Sequence, residues 1–373
     1  MMKQKYEPLF QSFTFGNGVE LKNRVVLAPM TNFSSNQDGT VSDDEVAYYE
    51  KRSSGVGMAI TACTYATPNG KGFPGEFAAH NDDMIPSLRR LASAIQGQGA
   101  KAILQIFHGG RECPPEQVDG DVVSASNIPS EREGRAVPRE LSSEEIDGII
   151  RDFGEATRRA IEAGYDGVEI HGANGYLIQQ FFSPHSNRRE DKWGGSLEKR
   201  MAFPLAVVDS VQKAVAEHGD ESFIVGYRFS PEEPETPGIT MGDTLALVDA
   251  LSEKNLDYLH VSLMEFWSEA RRGVDEKKPR IQLIKERVGS KMPVIGVGSI
   301  YTADDAAKAM ESGVPLIALG RELIIDPDWV QKIQEGREDE IVTVIDKDKQ
   351  KELVVPDPLW NAIVNTPGWF PGV

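Results

Sequence analysis

Eight short runs rich in Val, Ile and Ala recur along the chain, and each is followed by a longer amphipathic stretch. This alternation is typical of βα units rather than of antiparallel hairpins. The runs are VVLAPM from Val25, MAITAC from Met58, AILQIF from Ala102, GVEIHG from Gly167, FIVGYRFS from Phe223, DYLHVS from Asp257, PVIGVGS from Pro293 and LIALGR from Leu316. Strands of such continuous hydrophobicity must be covered on both faces, in a closed barrel or a doubly wound sheet. Eight units favour the barrel, so the sequence predicts a (β/α)8 TIM barrel.

Two helices are marked by residues that cap their first turn. Ser142 and Glu145 form a capping-box pattern ahead of apolar residues at helical spacing, and Thr302 precedes a similar helix after the seventh run. The rhythm continues without a low-complexity linker. We therefore expect a single domain over residues 1–373, with the barrel at about 21–336 and a C-terminal tail at about 337–373.

The segment from Phe107 to Glu140 is rich in Gly, Pro and charge and is too long for an ordinary βα turn. It predicts an active-site loop or lid after the third strand. Near the C-terminus, Trp360, Trp369 and Phe370 allow two interpretations. They pack the tail onto the barrel, or they form a subunit contact in a homo-oligomer.

The chain carries 58 acidic and 40 basic residues, a net charge of −18. Because this field repels phosphate backbones and anionic lipids, we expect neither a nucleic-acid nor a membrane partner. The start lacks an apolar signal core, and no long uncharged apolar run follows, which predicts a cytoplasmic protein. Cys63 and Cys113 are the only cysteines, too few for a zinc cage or an iron-sulfur ligand set, and we expect no metal.

In TIM barrels the chemistry lies at the C-terminal ends of the strands. The fourth run ends in HGANGY, which places His171, Asn174 and Tyr176 together at the barrel mouth. Two hydrogen-bond donors there could hold one acceptor oxygen, and a neutral phenol could supply a proton to complete a reduction. A capping His, a turn Asn and a packed Tyr explain the same pattern structurally.

The seventh and eighth runs end where many barrels bind phosphate, between the last two strands. Gly298 and Ser299 follow one run, and Gly320 and Arg321 follow the other. Backbone amides and a guanidinium would supply the donors, although glycines that merely make tight turns are the alternative. Tyr301 stands where a dinucleotide fingerprint needs its third glycine, which disfavours a Rossmann fold.

Four other strand ends carry a hydroxyl, a thiol, an amide and a cation: Thr31 after Pro29 and Met30, Cys63, Gln105 and Arg228. Around one mouth, this set suits a flat heterocycle with carbonyl and ring-nitrogen edges. A cation such as Arg228 would stabilise the anion formed when a flavin accepts hydride. The structural alternatives are an arginine that bridges barrel carboxylates, a glutamine that satisfies backbone groups and a cysteine packed in the core.

Four segments of this sequence resemble the old yellow enzyme family of FMN-dependent ene-reductases and NADH:flavin oxidoreductases. They are LKNRVVLAPMT from Leu21, ILQIFHGGR from Ile103, GYDGVEIHGANGYLIQQFFSPHSNRREDKWGGSLEKR from Gly164 and ALGRELIIDPDW from Ala318. The resemblance implies non-covalent FMN in the barrel mouth, with NADH or NADPH as the hydride donor. The implied cofactor contacts are Pro29, Met30, Thr31, Cys63, Gln105, His171 and Arg228 for the ring system, and Gly298, Ser299, Gly320 and Arg321 for the phosphate.

By the same resemblance, His171 and Asn174 bind the substrate oxygen and Tyr176 is the proton donor. Phe33 lines the acceptor pocket or only packs its loop. The implied reaction passes hydride through flavin N5 to an electron-poor small molecule, such as an α,β-unsaturated carbonyl, a nitro compound or a quinone.

The sequence departs from some family patterns. Thr31 stands where one branch carries a redox-tuning cysteine, and the terminal GWFPGV offers no arginine to a neighbouring subunit. Two other functions stay open. A phosphate-binding TIM-barrel lyase or aldolase would often need a Schiff-base lysine or a metal cluster, which the strand ends do not show. A non-catalytic FMN-binding protein would not need the trio of His171, Asn174 and Tyr176.

Overall fold

The computed structural model describes residues 1–373 and has a closed barrel of eight parallel strands at its centre. Each strand pairs with its neighbours, and the ring closes where Leu319 of the last strand lies opposite Leu27 of the first. The strands are β1 Val25–Leu27, β2 Met58–Ile60, β3 Lys101–Phe107, β4 Gly167–Gly172, β5 Ile224–Phe229, β6 Tyr258–Val261, β7 Val294–Gly296 and β8 Leu316–Leu319. The prediction of a TIM barrel is confirmed, and each of the eight apolar runs overlaps a barrel strand.

Helices connect successive strands around the outside of the barrel. They are α1 Asp43–Ser53, α2 Ile85–Gly97, α3 Ser143–Glu162, α4 Leu197–His218, α5 Met241–Ser252, α6 Arg280–Val288, α7 Ala303–Met310 and, after β8, α8 Trp329–Gln334. The capping box at Ser142 and Glu145 forms as predicted, with each side chain accepting from the other residue's backbone N–H. Thr302 caps α7 in the same way, with Asp305 as its partner.

The apolar core has two parts because side chains on a strand alternate between its two faces. One part lies between the strands and the helices, and a smaller part fills the barrel itself. An antiparallel pair of short strands, Phe13–Thr14 and Glu20–Leu21, lies beside the smaller part, to which Leu21 contributes. Buried polar side chains, among them Gln105, Glu169 and Arg228, take the place of this apolar filling in the C-terminal part of the barrel.

The long loop after β3 lies beside that end of the barrel. It contains a short parallel pairing of Val123–Ser124 with Arg139–Glu140. Arg111, Glu112 and Arg132 of this loop line the main cavity of the molecule. The extended loop that the sequence predicts after the third strand is therefore present at the site.

The tail, residues 337–373, packs on its own barrel. The buried guanidinium of Arg52 in α1 donates hydrogen bonds to the backbone oxygens of Leu353 and Val354 in the tail. A helix, Asp357–Val364, follows, and Phe370 is buried. Packing onto the barrel is therefore what these aromatic residues do within one chain, while the subunit contact stays a prediction.

No helix of the structure has both the length and the apolar composition that crossing a membrane requires.

Candidate active site

A cavity of about 860 Å³ opens at the C-terminal ends of the barrel strands. Of the predicted site residues, those that line it are Pro29, Met30, Thr31, Phe33, Asn174, Tyr176, Arg228, Gly298, Ser299, Gly320 and Arg321. Three predicted residues lie behind this lining. The thiol of Cys63 is 3.7 Å from the Thr31 hydroxyl, the His171 ring packs against Tyr176, and Gln105 bonds to a carboxylate inside the barrel. The structure thus brings the whole predicted set to one end of the barrel.

Arg228, on β5, is a buried cation without a partner in the chain. Its side chain lines the cavity with a relative exposure of 7%, and its guanidinium makes no hydrogen bond or ion pair. Burial lowers the pKa of Arg228, although the carboxylate of Glu169 opposes this effect. An unpaired buried charge is costly unless acceptors approach it. The alternative of an arginine that bridges barrel carboxylates is not what the structure shows, and a ligand with acceptor atoms at this point fits it.

His171 and Asn174 both have a free N–H. The backbone N–H of Ala173 donates to His171 Nδ1 over 3.2 Å, so the ring proton of the neutral imidazole is on Nε2. Burial and the nearby charge of Arg228 lower the pKa of His171 to about 3. Asn174 Oδ1 accepts from the Ser262 hydroxyl over 2.8 Å, which leaves the Nδ2 hydrogens for another acceptor. Two neutral donors are therefore available at the end of β4.

Tyr176 is held by aromatic contacts and not by its hydroxyl. Its ring packs edge-to-face on His171 and Phe107, with ring centroids 5.1 Å and 4.9 Å away. The hydroxyl has no hydrogen-bond partner within the chain, and burial raises the pKa of Tyr176. The group is therefore a neutral phenol that can donate a proton.

Phe73 adds another ring to the aromatic contacts of Tyr176. Its ring lies 6.1 Å from Tyr176 and 5.7 Å from Phe33. Phe33 itself has a left-handed backbone with φ of 57°. Sequence reasoning missed Phe73 because it lies in the loop after β2, where no periodic pattern marks it.

The predicted phosphate residues lie together at the other end of the cavity. Gly298 has φ of +140°, and a Cβ there would lie 2.6 Å from the backbone N of Phe266, so a side chain would not fit. Arg321 donates through Nη2 to the Ser299 hydroxyl and through Nη1 to the Trp369 carbonyl, both over 3.0 Å. Trp369 of the tail also lines the cavity, and it is a second residue that sequence reasoning did not assign to the site.

A third residue that sequence reasoning missed is Glu169, two positions before His171 and so on the same face of β4. The carboxylate is fully buried inside the barrel. Gln105 Nε2 donates to its Oε1 over 2.7 Å, and the Tyr258 hydroxyl and His260 Nδ1 donate to its Oε2 over 2.9 Å. The spacing from His171 was the signal that could have revealed it.

A parallel barrel with this mouth defines a class of protein. The unpartnered arginine suits the electron-rich edge of a flat heterocycle, the glycine and arginine cluster suits a phosphate, and the donors and the phenol suit a reduction. Together they define a flavin-dependent oxidoreductase on a TIM barrel.

Comparison with known proteins agrees with this class. The model of the NADH:flavin oxidoreductase / NADH oxidase family matches residues 8–340. The chain is 58% identical, over 99% of both chains, to the Bacillus subtilis (strain 168) protein named "Probable NADH-dependent flavin oxidoreductase YqiG". It is 45% identical to the NADH:fumarate oxidoreductase of Klebsiella pneumoniae (strain 342), covering 95% of this chain but 38% of that protein.

Among solved structures, the old yellow enzyme of Trypanosoma cruzi is 30% identical, with a TM-score of 0.76 over 89% of this chain and 93% of that chain. The chain belongs to the NADH:flavin oxidoreductase / NADH oxidase family, the old yellow enzyme family that its motifs resemble. It is an oxidoreductase that uses FMN with NADH or NADPH, and these predictions are confirmed.

Proposed function

We propose that this enzyme transfers hydride from NADH or NADPH through FMN to an electron-poor small molecule, such as an α,β-unsaturated carbonyl, a nitro compound or a quinone. The observation that carries the proposal is Arg228, a buried cation in the cavity wall with no partner in the chain. It lies on the strand next to β4, opposite His171 in the register. The charge-stabilising group and the polarising group are therefore side by side.

The residues that would hold FMN fall into two sets. Arg228 would face the acceptor atoms of the ring system, with Thr31 and Gln105 nearby. Gly298 and Arg321 would hold the phosphate through a backbone amide and a guanidinium. Bound FMN would supply the hydride transfer between the reduced nicotinamide and the acceptor.

The remaining chemistry belongs to the side chains at the end of β4. The Nε2–H of His171 and the Nδ2–H of Asn174 would donate to the acceptor's carbonyl or nitro oxygen and withdraw electrons from the conjugated double bond. Tyr176 would give its hydroxyl proton to the carbon next to that carbonyl. One hydride and one proton together saturate the double bond.

The names of several relatives favour the unsaturated carbonyl among these acceptors. Relatives of this chain include an NADH:acrylate oxidoreductase of Vibrio harveyi and a structurally similar morphinone reductase, besides the NADH:fumarate oxidoreductase. Acrylate, fumarate and morphinone all have a carbon–carbon double bond conjugated to a carbonyl group. An activated double bond is therefore the acceptor that we would test first.

The test is an anaerobic absorbance spectrum of the purified protein before and after NADH or NADPH, followed by cyclohexenone. We expect flavin bands that bleach with one of the nicotinamides and return with the enone. Bands that bleach and stay bleached would remove the unsaturated carbonyl, and nitro and quinone acceptors would then be tested in the same cuvette. Protein that neither contains nor takes up FMN would overturn the proposal.

A further inference from the structure

The buried carboxylate of Glu169 has three hydrogen-bond partners, which lie on two other strands of the barrel. It accepts from Gln105 on β3 and from Tyr258 and His260 on β6, and none of the four side chains reaches the surface. Gly226 makes room for this arrangement, because a Cβ at that position would overlap the ring of Tyr258. A glycine on a central strand is otherwise unfavourable, so its place here serves the contact with Tyr258.

The protonation states in this cluster follow from its hydrogen bonds. Burial raises the pKa of Glu169, but the hydrogen bonds from His260 and Gln105 and the charge of Arg228 outweigh burial and hold the pKa below its usual range. Burial lowers the pKa of His260, whose Nε2 is buried and unpartnered, as expected of a neutral ring that donates through Nδ1. The cluster therefore contributes one negative charge, next to the strand that carries Arg228.

Glu169 also fixes the orientation of Gln105. Because a carboxylate only accepts, Gln105 Nε2 must point at Glu169, and its Oε1 is left as an acceptor. If Glu169 were neutral and could donate, the amide of Gln105 could turn over and offer Nε2 instead. One carboxylate thus controls both the charge beside Arg228 and the polarity of Gln105.

Resting on the proposed function, we infer that Glu169 is a positioning residue that tunes the reduction potential of the bound flavin. It does so by partly offsetting the charge of Arg228 and by holding Gln105 as an acceptor. With the negative charge present, the arginine stabilises reduced flavin less than it would alone. The lower reduction potential makes hydride transfer from the reduced flavin to an acceptor more favourable.

The experiment compares wild type, Glu169→Gln and Tyr258→Phe, each loaded with FMN, in an anaerobic dye-coupled redox titration. We expect Glu169→Gln to shift the midpoint potential to a more positive value. A tenfold change in the stability of reduced over oxidised flavin corresponds to about 30 mV. Tyr258→Phe removes one hydrogen bond but keeps the charge, so its potential should stay close to wild type.

A second readout is the dissociation constant for FMN, which should rise in Glu169→Gln because Gln105 is free to turn. If Glu169→Gln does not fold, the double variant Glu169→Gln/His260→Leu is the alternative. It removes the charge and also the His260 ring, which would otherwise lose its carboxylate partner. We expect the same positive shift of the midpoint potential. An unchanged potential in a folded, FMN-loaded variant would overturn the inference and leave the proposed function intact. Wild-type protein that binds no FMN would instead overturn the proposed function.

Discussion

Burial sets the protonation state of each acid–base group at the barrel mouth. His171 is a neutral donor because burial and Arg228 hold its pKa at about 3. Tyr176 stays protonated because burial raises its pKa. Neither group titrates near neutral pH, so the pair can polarise an oxygen and release a proton over a wide pH range.

The role of Tyr176 can be tested by removing its hydroxyl. In Tyr176→Phe, we expect flavin reduction by nicotinamide to keep its rate, while the acceptor half-reaction slows by about 100-fold or more. The ring and its contacts with His171 and Phe107 remain, so the fold should not change. Stopped-flow absorbance of the two half-reactions is the measurement. Equal rates for the variant and wild type in the acceptor half-reaction would rule out Tyr176 as the proton donor.

A buried histidine also predicts how stability depends on pH. The pKa of His108 is lowered to about 3 by burial, from 6.5 for a free side chain. The unfolded chain therefore binds the proton first, and the stability contributed by neutral His108 is present above about pH 6.5 and is lost as the pH falls towards 3. At pH 5 the loss is about 2 kcal/mol.

Urea unfolding at pH 7.5 and pH 5 measures this effect. His108→Asn keeps an acceptor for the Gly110 N–H, which His108 Nδ1 accepts over 3.0 Å, but cannot be protonated. We expect the difference between the two pH values to be about 2 kcal/mol smaller in the variant. His218→Gln, at the exposed end of α4, is the control and should behave as wild type. A pH dependence that is identical in His108→Asn would contradict this assignment.

At the scale of elements, strands were easier to predict than contacts between loops. Each barrel strand is buried on both faces, so its residues form a largely apolar run, and the polar residue at its C-terminal end lies at the mouth. That rule is enough to find Arg228 and His171. It could not place Phe73 or Trp369 at the site, because the path of a loop or of the tail decides where those rings lie. No periodic pattern in the sequence predicts such a path. Glu169 was partly predictable, since its spacing of two residues from His171 places both side chains on the same face of β4.

The buried cation Arg52 of α1 contacts the tail. Its guanidinium donates to the backbone oxygens of Leu353, Val354 and Tyr48, and its pKa, lowered by burial to about 10, keeps it charged at neutral pH. We expect Arg52→Met to lower the free energy of unfolding by about 3 kcal/mol. Limited proteolysis should then cut the tail faster than in wild type.

The neighbouring Lys51→Met is the matched control for Arg52→Met. Lys51 forms a half-exposed ion pair with Asp328 at 3.0 Å. Exposed pairs of this kind contribute less than about 1 kcal/mol. Equal losses in the free energy of unfolding, and equal rates of tail proteolysis, in the two variants would show that the hydrogen bonds of Arg52 do not hold the tail.

At the scale of the whole molecule, the charge of −18 affects how anionic ligands approach. The cavity lining offsets little of it, because six arginines lie there with six glutamates, and only Glu322 among these is held neutral, since burial raises its pKa to about 10. Since NADH and NADPH are both anions, the long-range field should slow their approach. Salt screens that field over about 10 Å at 0.1 M.

We therefore expect the second-order rate constant for flavin reduction to rise with ionic strength, and to rise more steeply with NADPH because of its additional phosphate. Stopped-flow traces at low nicotinamide concentration, with sodium chloride from 20 to about 200 mM, would measure it. Cyclohexenone is uncharged and serves as the control. The rate constant for flavin reoxidation by cyclohexenone should not depend on ionic strength. Rates that fall with added salt would mean that the arginines of the cavity determine the approach.

If Arg228 holds FMN as proposed, it would connect the cellular supply of FMN to the lifetime of the polypeptide. Until acceptor atoms reach it, this cation raises the free energy of the folded chain, and a ligand that binds only the folded chain lowers it in proportion to the logarithm of its concentration. When riboflavin is scarce, a larger fraction of newly made chains would be open to intracellular proteases. The amount of enzyme in a cell would then follow vitamin status without any change in transcription.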